Sequence, residues 1–470
     1  VSATAVAYFR DAILQTLGIT CASLIIALAL GIPLAYLMAR GGRMGRVVSG
    51  AVTVVRAIPD LVLAIVFVVA LGLGPGPAIV ALGIHYAAVI GKMFSDVIAS
   101  VRREPAEVLV ATGATAGAAV LIGLVPTAWP GIIGFGVYAF ESITRAAVIV
   151  GVVGAGGIGA VLVQQLNMAD YHGFAISVVL LAALIALIEA LGTYFRLHAT
   201  PRAIALALGA VAALGIAALA LAPDPPWRML ATAPGHLANY VVNAVPQVNA
   251  EIVQTALGGA LQCILVALAG TILGAILAVP FALLIAWPVA RGWMRGTGWR
   301  PLSLPFEIVS RIVLTAVRAV PPIAIGLIGV VLIGIGPVAG AFALTLHTAG
   351  VLGKLLAESF DVADRAPAEA LVANGATGTS ATLVALVPAA FGAMLAHVLY
   401  RFEWNVRAST ALGMVGAGGL GQAIFNAQQL LFYRQLSSYV LVAIVLVLIV
   451  DAIGARLRAG LRLERLAVEV

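Results

Sequence analysis

Long uncharged apolar runs alternate along this chain with short basic stretches, and the same order of runs occurs twice. Residues 13–38 form the first run, followed at once by Arg40, Arg43 and Arg46. Roughly 20 apolar residues as helix cross a hydrocarbon core of about 30 Å, so this run predicts a membrane-spanning helix. A second span is expected over residues 47–73, kinked within RAIPD at residues 56–60, because Pro59 cannot donate a helix hydrogen bond. GLGPGP turns the chain, a third span covers residues 78–99, and Arg102 and Arg103 follow. EPAEVLVATGATAG, residues 104–117, is less apolar and reads as one short helix along the membrane surface. A fourth span starts near Ala118, carries Pro126 and runs into a glycine-rich segment; a fifth covers residues 174–195 and ends at Arg196 and Arg202.

Lys and Arg accumulate on the cytoplasmic side of membrane spans, which puts the loop after the first span inside and the N-terminus outside. Five spans are an odd number, so a second copy in the same orientation needs one more crossing. The apolar run 203–222 supplies it, and PDPPW at residues 223–227 opens an external segment reaching to about residue 250. The second copy repeats the plan, with a span to Trp287, a basic loop at residues 291–300, a span broken at Pro321 and Pro322, and a span to about Phe360. A surface stretch at residues 361–379 and two more spans follow, and Arg456, Arg458, Arg462 and Arg465 close the chain on the cytoplasmic side. The expected fold is an all-α polytopic membrane protein of about eleven transmembrane helices. Residues 1–202 form a first five-helix core, 203–250 a linking helix and external segment, and 251–470 a second core parallel to the first. Such a repeat predicts a pseudo-two-fold axis along the membrane normal, with a solute path on it. No basic leader with a small-residue cleavage site precedes the first run, which is therefore expected to be kept as a span.

Composition narrows the class. With 63% hydrophobic and 10% charged residues and a mean hydropathy of +1.13, the chain holds more apolar side chain than a soluble core hides. The short alternating segments of a membrane barrel are absent. The net charge of +7 does not point to nucleic acid, because the basic residues lie between spans and are not interleaved with aromatics. Cys21 and Cys263 fall inside apolar runs, as packing residues do.

The clearest repeat is YAFESITRAAVIVGVVGAGGIG at residues 138–159, matched by YRFEWNVRASTALGMVGAGGLG at residues 400–421. The same offset of 262 joins Arg56 to Arg318, Pro59 to Pro321, His85 to His347, Lys92 to Lys354, Glu107 to Glu369, Gly113 to Gly375 and Pro126 to Pro388. The glycines fit a dinucleotide-binding pattern, but that pattern needs a parallel sheet around it, which two membrane cores do not offer. In a membrane, small residues let helices approach closely and let backbone unwind beside a cavity. Gly154, Gly156 and Gly157, with Gly416, Gly418 and Gly419, are therefore candidates for a flexible gate, tight helix packing being the alternative. Tyr138, Glu141 and Arg145, like Tyr400, Glu403 and Arg407, stand just before them. The i, i+4 spacing puts each Glu and Arg on one helical face where they can pair. Ionisable groups at membrane depth face the bundle interior. Arg145 and Arg407 thus read either as structural ion pairs or as guanidinium forks for an oxyanion. Arg56 and Arg318 are alternative anion contacts near the cytoplasmic rim. His85 and His347, with Lys92 and Lys354 seven residues on, read as packed polar contacts between helices. No phosphate-binding loop, HExxH, CxxC or GxSxG is present, so neither an enzyme nor a metal site is expected.

The surface stretches share a spacing from Glu107 through Gly113 to Pro126 and from Glu369 through Gly375 to Pro388. In this they resemble the cytoplasmic "EAA" loop of the membrane subunits of bacterial ATP-driven (ABC) importers. EALVANG at residues 369–375 is the closer match, the first copy having Val108 and Val125 where that loop has Ala and Leu. The Tyr-x-Phe-Glu-x-x-x-Arg segments, with Arg318, Val320 and Pro321 upstream, are similar to the permeases of phosphonate importers over nearly the whole of each half. Methionine importer permeases are relatives that share the VGAGGLG ending. Ser142 and Ile143 stand where the second half has Trp404 and Asn405, so the halves have room to specialise. The resemblance implies a prokaryotic cytoplasmic-membrane permease without catalysis of its own. Its partners would be two copies of a cytoplasmic ABC ATPase that bind ATP and Mg, docked at the six surface-stretch residues, and an external solute-binding protein. It implies alternating access for a phosphorus oxyanion: phosphonate, phosphate or phosphite. Methionine or another small solute is the alternative substrate, and an ion-coupled secondary transporter the alternative class.

Overall fold

A computed structural model describes residues 3–72, 74–198, 200–221, 235, 238, 242–293 and 300–468. The proline-rich residues 223–227 and most of the basic loop at 291–300 lie outside the described residues. Among the described residues the chain is helical with no strand, and it divides into two compact units at Val245/Pro246. The turn Leu431–Arg434 is set apart from the second of these.

In the first unit α1 (Ala3–Arg40) is followed by α2 (Gly42–Ala57), α3 (Asp60–Leu71), α4 (Pro75–Ser100) and a short α5 (Glu104–Ala111). A π-helical turn, Ala119–Leu124, leads into α6 (Val125–Val150), and α7 (Gly157–Asn167), α8 (Tyr171–His198) and α9 (Pro201–Leu221) complete the unit. The second unit repeats the order with α10 (Ala250–Trp293), α11 (Arg300–Ala319), α12 (Pro322–Ile333), α13 (Pro337–Val362) and α14 (Ala366–Ala373). A π-helical turn, Thr382–Leu386, then precedes α15 (Val387–Leu412), α16 (Gly419–Gln429) and α17 (Tyr433–Val468). Both widened turns end two residues before a proline, Pro126 and Pro388. Proline lacks the N–H that an α-turn needs and its ring crowds the carbonyl four residues back, so the helix loosens there instead of stopping.

Eight helices among the described residues are long and apolar enough to cross a membrane, and ten are if each bent pair is taken as one span. The linking helix α9 is formed and packs on α1, where a Cβ on Gly215 would lie 3.1 Å from the Ala22 nitrogen. The main pairing in each unit joins its first and third spans, α1 with α4 and α10 with α13. Small residues allow it: a Cβ on Gly31 would come within 2.9 Å of the Ala87 carbonyl oxygen.

The kink expected within residues 47–73 is a sharp break: α2 and α3 meet at 85°, and Glu307–Ala319 meets α12 at 89°. Ile58 is extended, with ψ 121°, as the residue before a proline tends to be, and Pro59 starts the next helix. The turn thereby becomes a corner. Twelve residues of α3 rise about 18 Å, less than the hydrocarbon core of about 30 Å. Leu61, Val62, Ala64 and Ile65 bury it against its neighbours, whereas α2 keeps most of its basic and polar positions exposed.

Candidate functional site

The glycine-rich segments are breaks between two helices in contact. At the end of α6, Val153 leaves helical geometry and Gly154, Gly156 and Gly157 take φ of +106°, +87° and +70°. Gly416, Gly418 and Gly419 repeat this with +101°, +80° and +71°. Residues with a Cβ resist this region, and glycine does not. The chain then folds back so tightly that a Cβ on Gly151 would lie 2.5 Å from the Gly156 carbonyl oxygen, and one on Gly159 would collide with the Val148 carbonyl oxygen. The backbone is thus unwound at 154, 156 and 157 and closely packed at 151 and 159.

Each break is held from two sides. Gly74, in the loop after α3, donates its N–H to the Gly154 carbonyl at 3.1 Å, and Gly336 donates to Gly416 at 2.8 Å. The first N–H groups of the helix after the break have no partner within that helix. The first span supplies acceptors: Gln15 Oε1 takes the Gly157 N–H at 2.8 Å and Thr16 Oγ1 that of Ile158 at 3.0 Å. Gln262 Oε1 takes the Gly419 N–H at 2.8 Å, with Cys263 beside it in the place of Thr16. The break thus ties together the first span, the short second-span helix and the fourth span of its unit.

One turn and more before the break, the charged residues do not pair as their spacing suggests. Glu141 accepts from Arg196 at 3.0 Å, and Arg145 reaches Glu189 at 3.6 Å. In the second unit Glu403 is bonded to Arg458, and Arg407 donates to Asp451 at 2.8 Å. The expected pairs, Glu141 with Arg145 and Glu403 with Arg407, are replaced because the last span, α8 or α17, lies against the same face and offers an opposite charge to each. Gly192 and Gly454 make room for the two Glu carboxylates, since a Cβ at either would overlap them. Sequence reasoning read Arg196 and Arg458 only as basic span ends and missed Glu189 and Asp451, although all four recur at the offset of 262. Tyr138 and Tyr400 are 41% and 48% exposed, off these pairs.

The second unit adds a buried polar hub. Asn405 donates to Thr271 Oγ1 at 2.8 Å and to Thr348 Oγ1 at 3.0 Å, and Arg401 donates to Thr348 at 3.4 Å. The Arg401 guanidinium lies 4.1 Å from the centre of the Trp404 ring, which stacks with His347 at 5.2 Å. The corresponding residues of the first unit are Ala139, Ser142 and Ile143, with Ala139 and Ile143 packed as core. His85 instead meets Tyr86 edge-on at 5.2 Å.

The surface stretches form α5 and α14. Glu107 and Glu369 are exposed in their first turns. Gly113 and Gly375 end them with φ +96° and +89°, and the following N–H groups, of Ala114 and Ala376, reach back to the Leu109 and Leu371 carbonyls at 3.0 Å each. This is the left-handed glycine stop that closes a helix end with its carbonyls satisfied. α5 rests on the turn preceding Pro126, where a Cβ on Gly123 would approach the Ala106 nitrogen at 2.9 Å. Arg56 and Arg318 lie in the last turns of α2 and α11, before the corner.

Comparison with known proteins agrees in both halves. The family model described as binding-protein-dependent transport system inner membrane component matches residues 27–202 and again 296–463. A phosphate-import permease protein of Mycolicibacterium smegmatis is 29% identical over 473 residues, covering 96% of this chain and 84% of its own. A phosphite transport system permease protein of Stutzerimonas stutzeri is 38% identical over 191 residues, covering 41% of this chain and 67% of its own. Among solved structures, an inward-facing MetNI methionine ABC transporter is similar at 24% identity and a TM-score of 0.39, over 42% of this chain and 98% of its own.

Proposed function

The chain belongs to the binding-protein-dependent transport system inner membrane component family, and from that premise we propose that it supplies both halves of the translocation path of an ATP-driven importer for a phosphorus oxyanion. The observation that carries this reading is the match to a phosphate-import permease across both halves. The chain is a multi-pass inner-membrane protein whose relatives are transport permeases and not enzymes. ATP and Mg belong to two copies of a cytoplasmic ATPase, and a solute-binding protein delivers substrate from outside. The N-terminus faces outward and the C-terminus the cytoplasm, as the basic loops require.

The exposed Glu107 and Glu369, on short helices with defined glycine ends and beside Pro126 and Pro388, suit docking into a groove on each ATPase. Movement of α5 bears on the π-helical turn at Gly123 that leads into α6, and α6 carries it to the glycine break at Gly154, Gly156 and Gly157. Gly416, Gly418 and Gly419 act in the same way from α14. Closure of the ATPases need favour the outward-open state by only a few kcal/mol to shift the population. The paired Arg145–Glu189, Arg196–Glu141, Arg407–Asp451 and Arg458–Glu403 make the fourth and last spans of each unit move as one. The buried Nε atoms of Arg145 and Arg407 have no hydrogen-bond acceptor, which supports a second role as anion contacts. The exposure of Tyr138 and Tyr400 supports counting them with these arginines as path residues.

The test is uptake into vesicles holding the chain with its ATPase and binding protein. ATP-dependent uptake of phosphite, phosphate or a simple phosphonate is expected, with none of methionine. Methionine uptake without phosphorus oxyanion uptake would overturn the substrate assignment, and uptake driven by an ion gradient without ATP the importer class.

A further inference from the structure

The second unit holds a cavity of about 260 Å³ whose lining includes Arg311 and Arg318 of α11 and Lys354 and Glu358 of α13. The residues of α11 explain its place. Ile308, Val309 and Ile312 are 47%, 55% and 62% exposed, an unburied apolar stripe on a helix of a membrane protein. Ser310 and Leu314 are buried, and Glu307, Arg311, Thr315 and Arg318 recur at intervals of three or four, so they share a third face. A helix with one apolar and one basic face, turned 89° from the next one, lies in the membrane interface with its apolar side toward lipid. Gly350 lets it approach α13: a Cβ there would stand 3.2 Å from the Arg318 nitrogen. Three cations, Arg311, Arg318 and Lys354, are thereby gathered in one hollow with two carboxylates, Glu307 and Glu358, beside them.

Arg311 and Lys354 carry partners that are easily exchanged. Arg311 bonds Glu307 at 3.1 Å and Lys354 lies 3.7 Å from Glu358, both i, i+4 pairs with the cation more than half exposed. Exposed pairs of this kind add little to stability, so an oxyanion that meets several cations at once competes well with them. In the first unit Arg56, Lys92 and Asp96 occupy the matching positions, but Ser49 replaces Arg311.

We propose that this cavity binds a single phosphate-type oxyanion, one per chain, through Arg311, Arg318 and Lys354. Two sources carry that chemistry: the head group of an anionic phospholipid, and a free phosphorus oxyanion on the cytoplasmic side. Basic pockets between membrane helices on that side suit the first. The second rests on the transport reading above, and the first does not.

The experiment uses the full chain in phosphatidylcholine nanodiscs. Retention of added phosphatidylglycerol is read by native mass spectrometry, and binding of inorganic phosphate by equilibrium dialysis. The expected result is one saturable site, weakened about tenfold or more by R311Q/K354Q, which removes two charges of a multidentate contact. R102Q/R103Q, an equal loss of charge on exposed residues of the first unit, should leave it unchanged. Phosphatidylglycerol retention insensitive to phosphate supports the lipid source, and displacement of lipid by phosphate, or phosphate binding alone, supports the free oxyanion. The proposal is overturned if a folded R311Q/K354Q chain, checked by its melting temperature, binds both probes as the parent does, if R102Q/R103Q weakens binding equally, or if two equal sites are found per chain. Neither readout measures uptake, so failure here is distinguishable from failure of the transport assignment.

Discussion

Arg401 places its guanidinium carbon 4.1 Å from the centre of the Trp404 ring. A charge at this depth is costly. The ring face, Thr348 and the neighbouring Asn405 offset part of that cost, and with His347 stacked beyond they join the first, third and fourth spans of the second unit. Replacing Trp404 by Ala removes the cation–π contact and leaves a cavity, and a loss of about 3–5 kcal/mol is expected. Trp404→Phe, which keeps a ring face, should cost clearly less. Thermal unfolding of the detergent-solubilised chain decides between them, and equal effects of the two variants would exclude the cation–π contact as the cause.

The charged pairs give a second prediction. Removing Glu141 leaves Arg196 without its carboxylate in a half-buried place, a loss of about 1–3 kcal/mol for Glu141→Gln. Residues that share a bond couple in double mutants and separate ones do not. Glu141→Gln with Arg196→Gln should therefore cost well under the sum of the single changes, as should Glu403→Gln with Arg458→Gln. Glu141→Gln with Arg145→Gln, the pair that spacing alone suggests, should couple clearly less, through charge alone and without a shared bond. The reverse pattern in unfolding midpoints would restore the within-helix pairing.

How much of this was readable beforehand follows from where each interaction lives. The duplication, the spans, the surface helices and the unwound glycines are local patterns, and the offset of 262 exposes them. The sharpness of the corner at Pro59 is hidden by the apolar run that continues through it; the basic residues confined to α2 are the signal that the run divides there. Pairing of Glu141 is long-range. A Glu with an Arg four positions on is equally consistent with two bonds to another helix, and only packing of α8 against α6 chooses. Trp404 and Asn405 were visible as differences between halves, but the hub they form with Thr271, Thr348 and Arg401 comes from three separate spans.

A third prediction concerns the break. Gly154→Ala and Gly416→Ala force φ near +100° on a residue with a Cβ, at a cost of about 1–2 kcal/mol each. Gly159→Ala should be worse, since its Cβ collides with the backbone carbonyl of Val148, which cannot swing aside as a side chain can. Gly134 lies within α6 with open space around it, and Gly134→Ala should stabilise by up to about 1 kcal/mol. Melting temperatures of the four variants, ordered Gly134→Ala above the parent and Gly159→Ala lowest, check the assignment; a benign Gly159→Ala would remove the close contact of the two helices.

The last prediction separates conformation from contact at the surface helices. Gly113 and Gly375 have nothing within 4 Å of where a Cβ would stand, so alanine there meets no clash. Its whole effect is the left-handed φ, about 1 kcal/mol, acting on the last turn of an eight-residue helix. That is too little to unfold the chain but enough to fray α5 and α14 at the end that must stay rigid if they transmit force. Asn tolerates this region better than Ala, so the order of function should be Gly, then Asn, then Ala at both sites. ATP-driven uptake is expected to fall several-fold in Gly113→Ala/Gly375→Ala with the melting temperature almost unchanged, and to recover in part with Asn. Full uptake in the double Ala variant would mean that the glycine ends are incidental to coupling, while a large fall in melting temperature would assign them to the core of the fold.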